Sequence, residues 1–271
     1  MERIKQALER AKKDRESGRT SRPAAIIPQR VQTGAPRSED IVYTQTKVFK
    51  PPQQVLDENR VLGGAAAGQA TDAYRMLRTR VLQKMRDNGW NSLMVTSAGV
   101  GEGKSLTATN LAISLAREVT HTVLLVDLDL RRPGLHELFG YTAEAGLVDC
   151  LRDKKPLSDV LVNPGVERLV LLPARQRVEN SSELLGSPEM LDVIADIKNR
   201  YPDRIVIFDL PPVLSTDDAL AFSPNVDAVL LVVQEGETSQ SSLRAVYDVL
   251  SDSNILGVVL NRADDYATAY Y

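Results

Sequence analysis

The sequence predicts an α/β fold with a mostly parallel central sheet and helices on both of its faces. Two observations support this prediction. Short segments that are apolar at every position alternate with helical patterns from Thr71 onward, and a glycine-rich loop joins one such segment directly to the next helix. Strands without a polar face are typical of parallel sheets that helices cover on both sides. The 271 residues suffice for one large domain of this kind or two small ones.

Residues 1–60 differ from this body in composition and charge. They hold 13 Lys/Arg against 8 Asp/Glu, whereas residues 61–271 hold 20 against 28. Apolar residues at helical spacing from Ile4 predict a short amphipathic helix over residues 1–15, which is either solvated or docks onto a partner or a membrane surface. Residues 16–61 are rich in Pro, Gln, Arg, Ser and Thr without a sustained period, which predicts a largely disordered linker. Because the body is acidic, we expect no nucleic-acid partner.

The alternation after residue 71 consists of four predicted helices and six predicted strands. Each helix has apolar residues on one face, as in the first, where Tyr74, Leu77 and Val81 share a side. Each strand is a short apolar run, such as the one from Val123 to Val126. The helices are predicted over residues 73–85, 103–117, 187–201 and 239–250, and the strands over residues 92–96, 122–126, 169–172, 205–208, 228–233 and 255–260.

The loop at residues 97–105 joins the first of these strands to a helix and reads Ser-Ala-Gly-Val-Gly-Glu-Gly-Lys-Ser. It matches a Walker A loop with Ala98 at the first position. The glycines let successive backbone N–H groups turn inward onto a phosphate chain, and the following helix points its positive end at the same charge. Lys104 is expected to reach the β and γ oxygens, and the Ser105 hydroxyl to ligate Mg²⁺. The loop therefore predicts binding of a nucleoside triphosphate, but it does not indicate which reaction the nucleotide undergoes.

Two further strands end in aspartates, and the carboxyl ends of parallel strands are where ligands bind. Asp127 and Asp129 are expected to position Mg²⁺ and to accept a proton, with a solvated acidic turn as the alternative. Asp209 follows four apolar residues in a Walker B pattern and is expected to hold Mg²⁺ through water. The predicted catalytic residues are Lys104, Asp127, Asp129 and Asp209, and the predicted metal ligands are Ser105, Asp127 and Asp209.

Residues near these strand ends carry a less specific signal. Arg131 and Arg132 are expected to neutralise phosphate charge. Asp217 and Asp218 either cap the next helix or belong to the Mg²⁺ shell, and Asn261 either hydrogen-bonds a purine base or forms a turn. The predicted nucleotide-binding residues are Gly99, Val100, Gly101, Glu102, Gly103, Lys104, Ser105, Leu106, Arg131 and Asn261.

Three of the eight tyrosines lie among the last six residues, at Tyr266, Tyr270 and Tyr271. Their neighbours are small or acidic and offer no core in which to bury an aromatic ring. Residues 263–271 are therefore interpreted as an extended tail that enters the site of a neighbouring molecule, with a chance or docking aromatic terminus as the alternative. A tyrosine hydroxyl has a pKa of about 10, so its phosphorylation at neutral pH needs a nearby base.

These motifs together resemble those of the bacterial tyrosine kinases, which use a P-loop scaffold like that of partition ATPases instead of the protein-kinase fold. The resemblance covers about residues 71–271 and rests on Gly-Glu-Gly-Lys-Ser, on Asp-x-Asp-x-Arg from Asp127 and on Asp-x-Pro-Pro from Asp209. It implies a kinase domain over residues 61–262 that uses ATP and Mg²⁺. In this family the paired aspartates, here Asp127 and Asp129, act on the acceptor tyrosine, which implies autophosphorylation of the tail in trans.

The family also packs its subunits into a ring through a Glu-x-x-Arg-x-x-Arg motif. Asp72, Arg75 and Arg78 have that spacing with Asp in place of Glu, which implies a homo-oligomer. Two further departures from the family pattern are Val100, where proline is frequent, and Leu106, where a small hydroxyl residue is common. Neither departure removes a phosphate contact.

A helix before a linker also resembles the amino terminus of cytoplasmic kinases from exopolysaccharide export clusters. This implies regulation of exopolysaccharide or capsule polymerisation and export, a separate transmembrane co-polymerase as activator, and a cognate tyrosine phosphatase. It places the chain in the cytoplasm, peripheral at the inner membrane through that partner. No apolar run approaches the ~18–20 residues that span a bilayer. The single cysteine, Cys150, excludes an intramolecular disulfide and fits a reducing compartment.

Two other functions compete with that of an autokinase. An ATPase of the partition or division-site kind dimerises on ATP and positions cargo, but such enzymes carry a signature lysine five residues before the catalytic one, where this chain has Gly99. A non-catalytic regulator that binds nucleotide and recruits partners is the third class. The complete set of Lys104, Ser105 and the strand-end aspartates counts against it.

Overall fold

A single mixed sheet forms the centre of the molecule in the computed structural model, which describes residues 46–63, 68–201 and 203–263. The strand order is β1-β4-β5-β3-β6-β2-β7-β8, and every pairing is parallel except that of β4 with β5. The strands are β1 (Lys47–Val48), β2 (Ser92–Ser97), β3 (Thr122–Asp127), β4 (Val162–Asn163), β5 (Leu169–Leu172), β6 (Arg204–Asp209), β7 (Ala228–Gln234) and β8 (Ile255–Asn261). The predicted α/β class with a mostly parallel sheet is confirmed.

Helices cover both faces of this sheet. In the described ranges they are α1 (Gln53–Glu58), α2 (Gln69–Asn88), α3 (Lys104–Ala116), α4 (Leu147–Asp153), α5 (Ser181–Leu185), α6 (Pro188–Asn199), α7 (Asp218–Phe222) and α8 (Gln240–Val249). None of these helices is long and apolar enough to cross a bilayer. The four predicted helices are present as α2, α3, α6 and α8, although α2 extends beyond the predicted residues 73–85 at both ends.

Two apolar clusters flank the sheet because successive strand residues point to opposite faces. In β2, Leu93 and Val95 belong to the cluster that α2 and α3 cover, and Met94 belongs to the cluster that α4, α6, α7 and α8 cover. Every residue of β2 and β5 is buried, as the continuous apolar pattern predicts. The strands β1 and β4 were not predicted, since two residues are too few to show a pattern.

The predicted disordered linker is wrong for the stretch from residue 46 to residue 61, which forms β1 and α1. Leu56 and Val61 are buried in the same cluster as α3. The Asn110 side chain of α3 accepts a hydrogen bond from Leu62 N (2.9 Å) and donates one to Arg60 O (3.0 Å). These partners lie far away in the sequence, so the local composition did not predict them. The predicted helix over residues 1–15 lies outside the described residues.

The sheet brings the predicted site together at one edge. Asp127 and Asp209 end the adjacent parallel strands β3 and β6 and are directly paired in register. The strand on the other side of β6 is β2, which runs into the glycine-rich loop and then into α3. The loop and the two aspartates therefore meet at the carboxyl ends of three neighbouring strands.

Candidate functional site

The loop between β2 and α3 is built for close approach of a ligand to the backbone. Gly101 and Gly103 have φ values of +84° and +91°, a region that side chains with a Cβ atom rarely adopt. A Cβ atom on Gly103 would also lie 2.1 Å from Asn261 Nδ2. No side chain caps the amino terminus of α3, so its first N–H groups are oriented for an anion. This geometry agrees with the predicted phosphate loop.

Glu102 is the acidic residue of this loop, and its side chain turns into the protein. Its carboxylate accepts hydrogen bonds from Ala98 N (2.9 Å) and from the Thr238 hydroxyl. Its carbonyl oxygen accepts one from Asn261 Nδ2 (2.8 Å). The carboxylate therefore holds the two ends of the loop together. These contacts occupy a negative charge that would repel a phosphate chain if it faced the ligand side of the loop. Thr238 was not predicted, because one threonine after β7 carries no sequence signal.

Lys104 lies at the centre of the site, and its side chain is 13% exposed. Its ammonium donates to Asp129 Oδ2 (2.7 Å) and to Ser105 Oγ (3.1 Å), and it lies 3.7 Å from Asp209 Oδ1. Burial by itself disfavours the charged ammonium, but the carboxylates of Asp209 and Asp129 outweigh it and raise the pKa of Lys104 above its usual value. Lys104 therefore remains a cation, as binding of a phosphate chain requires.

Asp127 and Asp209 are buried carboxylates side by side, and both have a raised pKa. For Asp127 the causes are burial and the neighbouring charge of Asp209, which together outweigh the N–H of Leu135. For Asp209 the main cause is burial, which Lys104 and the Ser105 hydroxyl offset only in part. Three carboxylates, including Asp129, thus lie around one ammonium, and ionising all three would leave the cluster with excess negative charge.

Asp127 also shapes the turn that follows β3. Its two carboxylate oxygens accept hydrogen bonds from Asp129 N (3.2 Å) and Leu135 N (3.1 Å). Asp129 in turn accepts one from Arg132 N (3.0 Å) and faces a cavity of about 460 Å³. The two aspartates therefore differ in placement, because Asp127 is enclosed by backbone whereas Asp129 borders open space.

The predicted metal ligands fit a hard cation. Asp209 Oδ1 is buried and has no hydrogen-bond partner within the described ranges. With Ser105 and Asp127 it forms a set of oxygen donors only, which is the preference of Mg²⁺. No group of three or more His, Cys, Asp or Glu side chains that could hold a metal is found in the described part of the chain. Such a sparse set is typical of Mg²⁺, which usually takes one or two carboxylates and completes its shell with phosphates and water.

Arg131 is held by two acids rather than left free for phosphate. Its guanidinium donates to Asp218 Oδ2 (3.0 Å) and lies 3.4 Å from Asp217 Oδ1. Asp218 is fully buried and also accepts from the Ser181 hydroxyl (2.8 Å). Asp217 occupies the N-cap position of α7, but its side chain makes no capping hydrogen bond. Neither alternative considered for Asp218, a cap or a Mg²⁺ ligand, describes its contacts.

The residues of the predicted ring motif lie on α2. Asp72 and Arg75 form an exposed ion pair of 2.8 Å. Arg78 donates to Ser114 O (3.2 Å) and pairs with Glu118 (3.0 Å), both in or next to α3. Arg78 is thus tied to its own chain, and a role of this motif in a ring stays a prediction. The tail tyrosines Tyr266, Tyr270 and Tyr271 lie outside the described residues.

Comparison with known proteins shows that the chain is similar to bacterial tyrosine-protein kinases. Residues 93–254 match a family model described as an AAA domain. The chain is 33% identical to the tyrosine-protein kinase YwqD of Bacillus subtilis over 193 residues, which cover 70% of this chain and 80% of that protein. It is 32% identical to the succinoglycan biosynthesis transport protein ExoP of Rhizobium meliloti, over 76% of this chain and 26% of that protein.

Two solved structures share the fold. The kinase domain of the Escherichia coli tyrosine kinase ETK superposes with a TM-score of 0.68 at 29% identity, covering 83% of this chain and 88% of the other. The septum site-determining protein MinD of Pyrococcus horikoshii, complexed with Mg-ADP, superposes with a TM-score of 0.55 at 24% identity, covering 66% and 72%. The second likeness concerns the fold alone and confirms the predicted P-loop NTPase architecture.

Proposed function

The chain belongs to the bacterial tyrosine kinase family of P-loop enzymes, and on that premise we propose that it uses ATP and Mg²⁺ to phosphorylate its own C-terminal tyrosines in trans. The single observation that carries this proposal is the contact of Lys104 with Asp129 beside the paired strand ends of Asp127 and Asp209. It supports the proposal because a lysine and three carboxylates lie together at the mouth of one glycine-rich loop.

The proposed chemistry assigns a separate task to each side chain. Bound ATP with Mg²⁺ supplies the γ-phosphoryl group, held by the loop backbone, Ser105 and Asp209. The tyrosine oxygen bonds to the γ-phosphorus while the bond to the β–γ bridging oxygen breaks and ADP leaves. Asp129 accepts the phenolic proton, since it borders the cavity whereas Asp127 is enclosed. Lys104 stabilises the charge that develops on the phosphoryl oxygens.

A mixing experiment tests both the reaction and its direction. The enzyme is the full chain with Tyr266, Tyr270 and Tyr271 changed to Phe, and the acceptor is the full chain with Lys104→Met. With labelled ATP and Mg²⁺, label is expected on the acceptor's tail tyrosines only when both proteins are present. Release of free phosphate with no labelled protein would instead support the switch ATPase, and neither signal would support a nucleotide-binding regulator.

The cellular role is part of the same proposal. We assign the chain to the control of exopolysaccharide or capsule polymerisation and export, which the similarity to ExoP supports. The partners proposed are further copies of this chain in a ring through Asp72, Arg75 and Arg78, a transmembrane activator, and a tyrosine phosphatase. The activator would hold the kinase at the inner membrane. Sizing of the purified chain before and after dephosphorylation tests the ring.

A further inference from the structure

The cavity in front of Asp129 has an unusual charge for this acidic body. Its lining includes four cations, namely Lys104, Arg131, Arg132 and Arg177, and among the residues that the structure describes Asp129 is the one carboxylate that lines it. Residues 61–271 as a whole hold 20 Lys/Arg against 28 Asp/Glu. The cavity therefore concentrates positive charge beside the phosphate loop and Asp129.

Two of the four cations already have partners. Lys104 pairs with Asp129, and Arg131 pairs with the buried Asp218. Arg132 and Arg177 are exposed, and their guanidinium groups have no ion-pair or hydrogen-bond partner anywhere in residues 46–63, 68–201 and 203–263. These two arginines are thus the charges left over for a ligand.

Both arginines lie on backbone that is anchored beside the catalytic carboxylate. The N–H of Arg132 donates to Asp129 Oδ1 (3.0 Å), so any shift of Asp129 also shifts this residue. Arg177 precedes the buried Val178, whose N–H donates to Leu130 O (2.8 Å) in the turn that follows β3. Both residues therefore border the 460 Å³ cavity from backbone that hydrogen bonds hold in place.

We propose that Arg132 and Arg177 select acceptor tyrosines with acidic residues on their amino-terminal side, an inference that rests on the proposed kinase function. The chain itself carries such a segment, because Asp264 and Asp265 directly precede Tyr266. Tyr270 and Tyr271 follow Ala267, Thr268 and Ala269 and lack adjacent acids. Guanidinium groups pair with carboxylates in a planar, two-pronged geometry, so they discriminate acidic peptides from neutral ones. Tyr266 is therefore the preferred acceptor.

The test compares two acceptors, each the full chain with Lys104→Met, one with the native tail and one with Asp264→Asn and Asp265→Asn. The enzyme is the full chain with its three tail tyrosines changed to Phe. For the native tail we expect a KM lower by about 3- to 10-fold at low salt, with kcat little changed and with Tyr266 labelled first. Because exposed charges are screened by salt, the difference should shrink at about 0.5 M salt.

Variants of the enzyme decide whether the two arginines are responsible. Arg132→Ala with Arg177→Ala should reduce the preference to less than about twofold. Arg132→Glu with Arg177→Glu should reverse it toward an acceptor with Asp264→Lys and Asp265→Lys, a rescue that a merely structural role would not produce. The control is Arg200→Ala, which removes an exposed arginine of an ion pair next to α6 and should leave the preference unchanged.

Three outcomes would overturn the inference. Equal labelling of both acceptors by the enzyme with Arg132 and Arg177 intact would remove the selectivity while leaving the kinase function standing. A raised KM for ATP in the double alanine variant, with the acid preference intact, would assign the arginines to the triphosphate. Absence of phosphotyrosine on either acceptor would refute the proposed function and this inference with it.

Discussion

Asp227 and Asp209 lie at opposite ends of the same sheet and have opposite environments. Asp227 directly precedes β7, and its carboxylate accepts hydrogen bonds from Asn91 N (3.0 Å), Ser92 N (2.9 Å), Ser92 Oγ (2.7 Å) and Lys198 Nζ (2.9 Å). Asp209 ends β6, and its Oδ1 is buried without a hydrogen-bond partner in the described part of the chain. Hydrogen bonds satisfy the carboxylate at one end of the sheet, whereas at the other end Asp209 Oδ1 faces the Lys104 ammonium at 3.7 Å without a hydrogen bond in the described residues.

The pKa shifts of the two residues follow from these environments. Burial raises the pKa of Asp227, but hydrogen bonds from Ser92, Asn91 and Lys198 outweigh burial, and the net pKa is lowered. Burial raises the pKa of Asp209, and Lys104 and Ser105 do not compensate fully. The ionised form of Asp227 therefore stabilises the fold at neutral pH, whereas that of Asp209 opposes folding. The difference indicates that ionised Asp227, at the amino ends of the strands, stabilises the fold. Ionised Asp209, at the carboxyl ends, lowers stability, which we call the strain of the binding edge.

The largest effect should come from Asp209→Asn, which tests the second half of this comparison. Kinase activity should fall by about 10²–10³-fold, because a charged group aimed at the reacting phosphates is lost. The free energy of unfolding should stay equal or rise by about 1 kcal/mol, since one of three carboxylates around Lys104 is neutralised. Initial rates and urea unfolding measure the two quantities. A loss of stability above about 1 kcal/mol would contradict the proposed strain.

Asp227→Ala tests the other end of the sheet. It should lower the free energy of unfolding by about 2–4 kcal/mol, because the backbone N–H groups of Asn91 and Ser92 and the Lys198 ammonium lose their acceptor. The turnover rate of the folded fraction should stay unchanged, which a rate normalised to folded protein measures. Asp196→Ala is the matched control, since its exposed pair with Arg200 is worth only about 0.5 kcal/mol.

Thr238→Val tests whether the loop depends on support from the turn that follows β7. The substitution removes the hydroxyl that donates to Glu102 and accepts from Gln234 N (2.9 Å). We expect the KM for ATP to rise about fivefold, the equivalent of about 1 kcal/mol. The control is Thr79→Val on α2, whose hydroxyl donates to Arg75 O (2.9 Å) away from the loop. An unchanged KM for ATP would mean that the loop holds its shape without Thr238.

The smallest effect is a pH dependence of stability. Because the pKa of Asp227 is lowered in the folded state, its stabilising contribution is fully present above the unfolded pKa of about 3.9 and is lost as pH falls through the folded value. The difference in unfolding free energy between the native chain and Asp227→Asn should thus be constant from about pH 5 to 7 and shrink below about pH 4. A difference that grows on acidification would refute the assignment.

The sequence predicted the strands well because each one is a local pattern. Six apolar runs became β2, β3, β5, β6, β7 and β8; β5 keeps its predicted bounds, and the others extend by one residue at one or both ends. These shifts have one cause, since Ser97, Asp127 and Asp209 continue the strand geometry although they are polar. The phosphate loop was predicted equally well, because its glycines and Lys104 lie within one short stretch of the chain.

The sequence did not predict those features that depend on contacts with residues far away along the chain. The segment around Leu56 and Val61 was predicted to be a disordered linker, because the Asn110 side chain that satisfies its backbone lies about fifty residues away. Arg177 was missed for the same reason, since a segment between β5 and α5 has no period that marks a site. The composition of a segment indicates how much apolar surface it can bury, but it does not indicate which distant residues the segment contacts.

Glycine spacing, apolar runs and strand-end aspartates by themselves determined a parallel α/β sheet with a phosphate loop at its carboxyl edge. Only the tertiary structure decided that Glu102 braces that loop and that Asp218 holds Arg131. It also decided that Arg132 and Arg177 border the cavity beside Asp129 without an ion-pair partner among the described residues. The physical reason is that backbone preference and burial act along a few residues, whereas the pairing of a charge depends on which side chains the fold brings within about 4 Å.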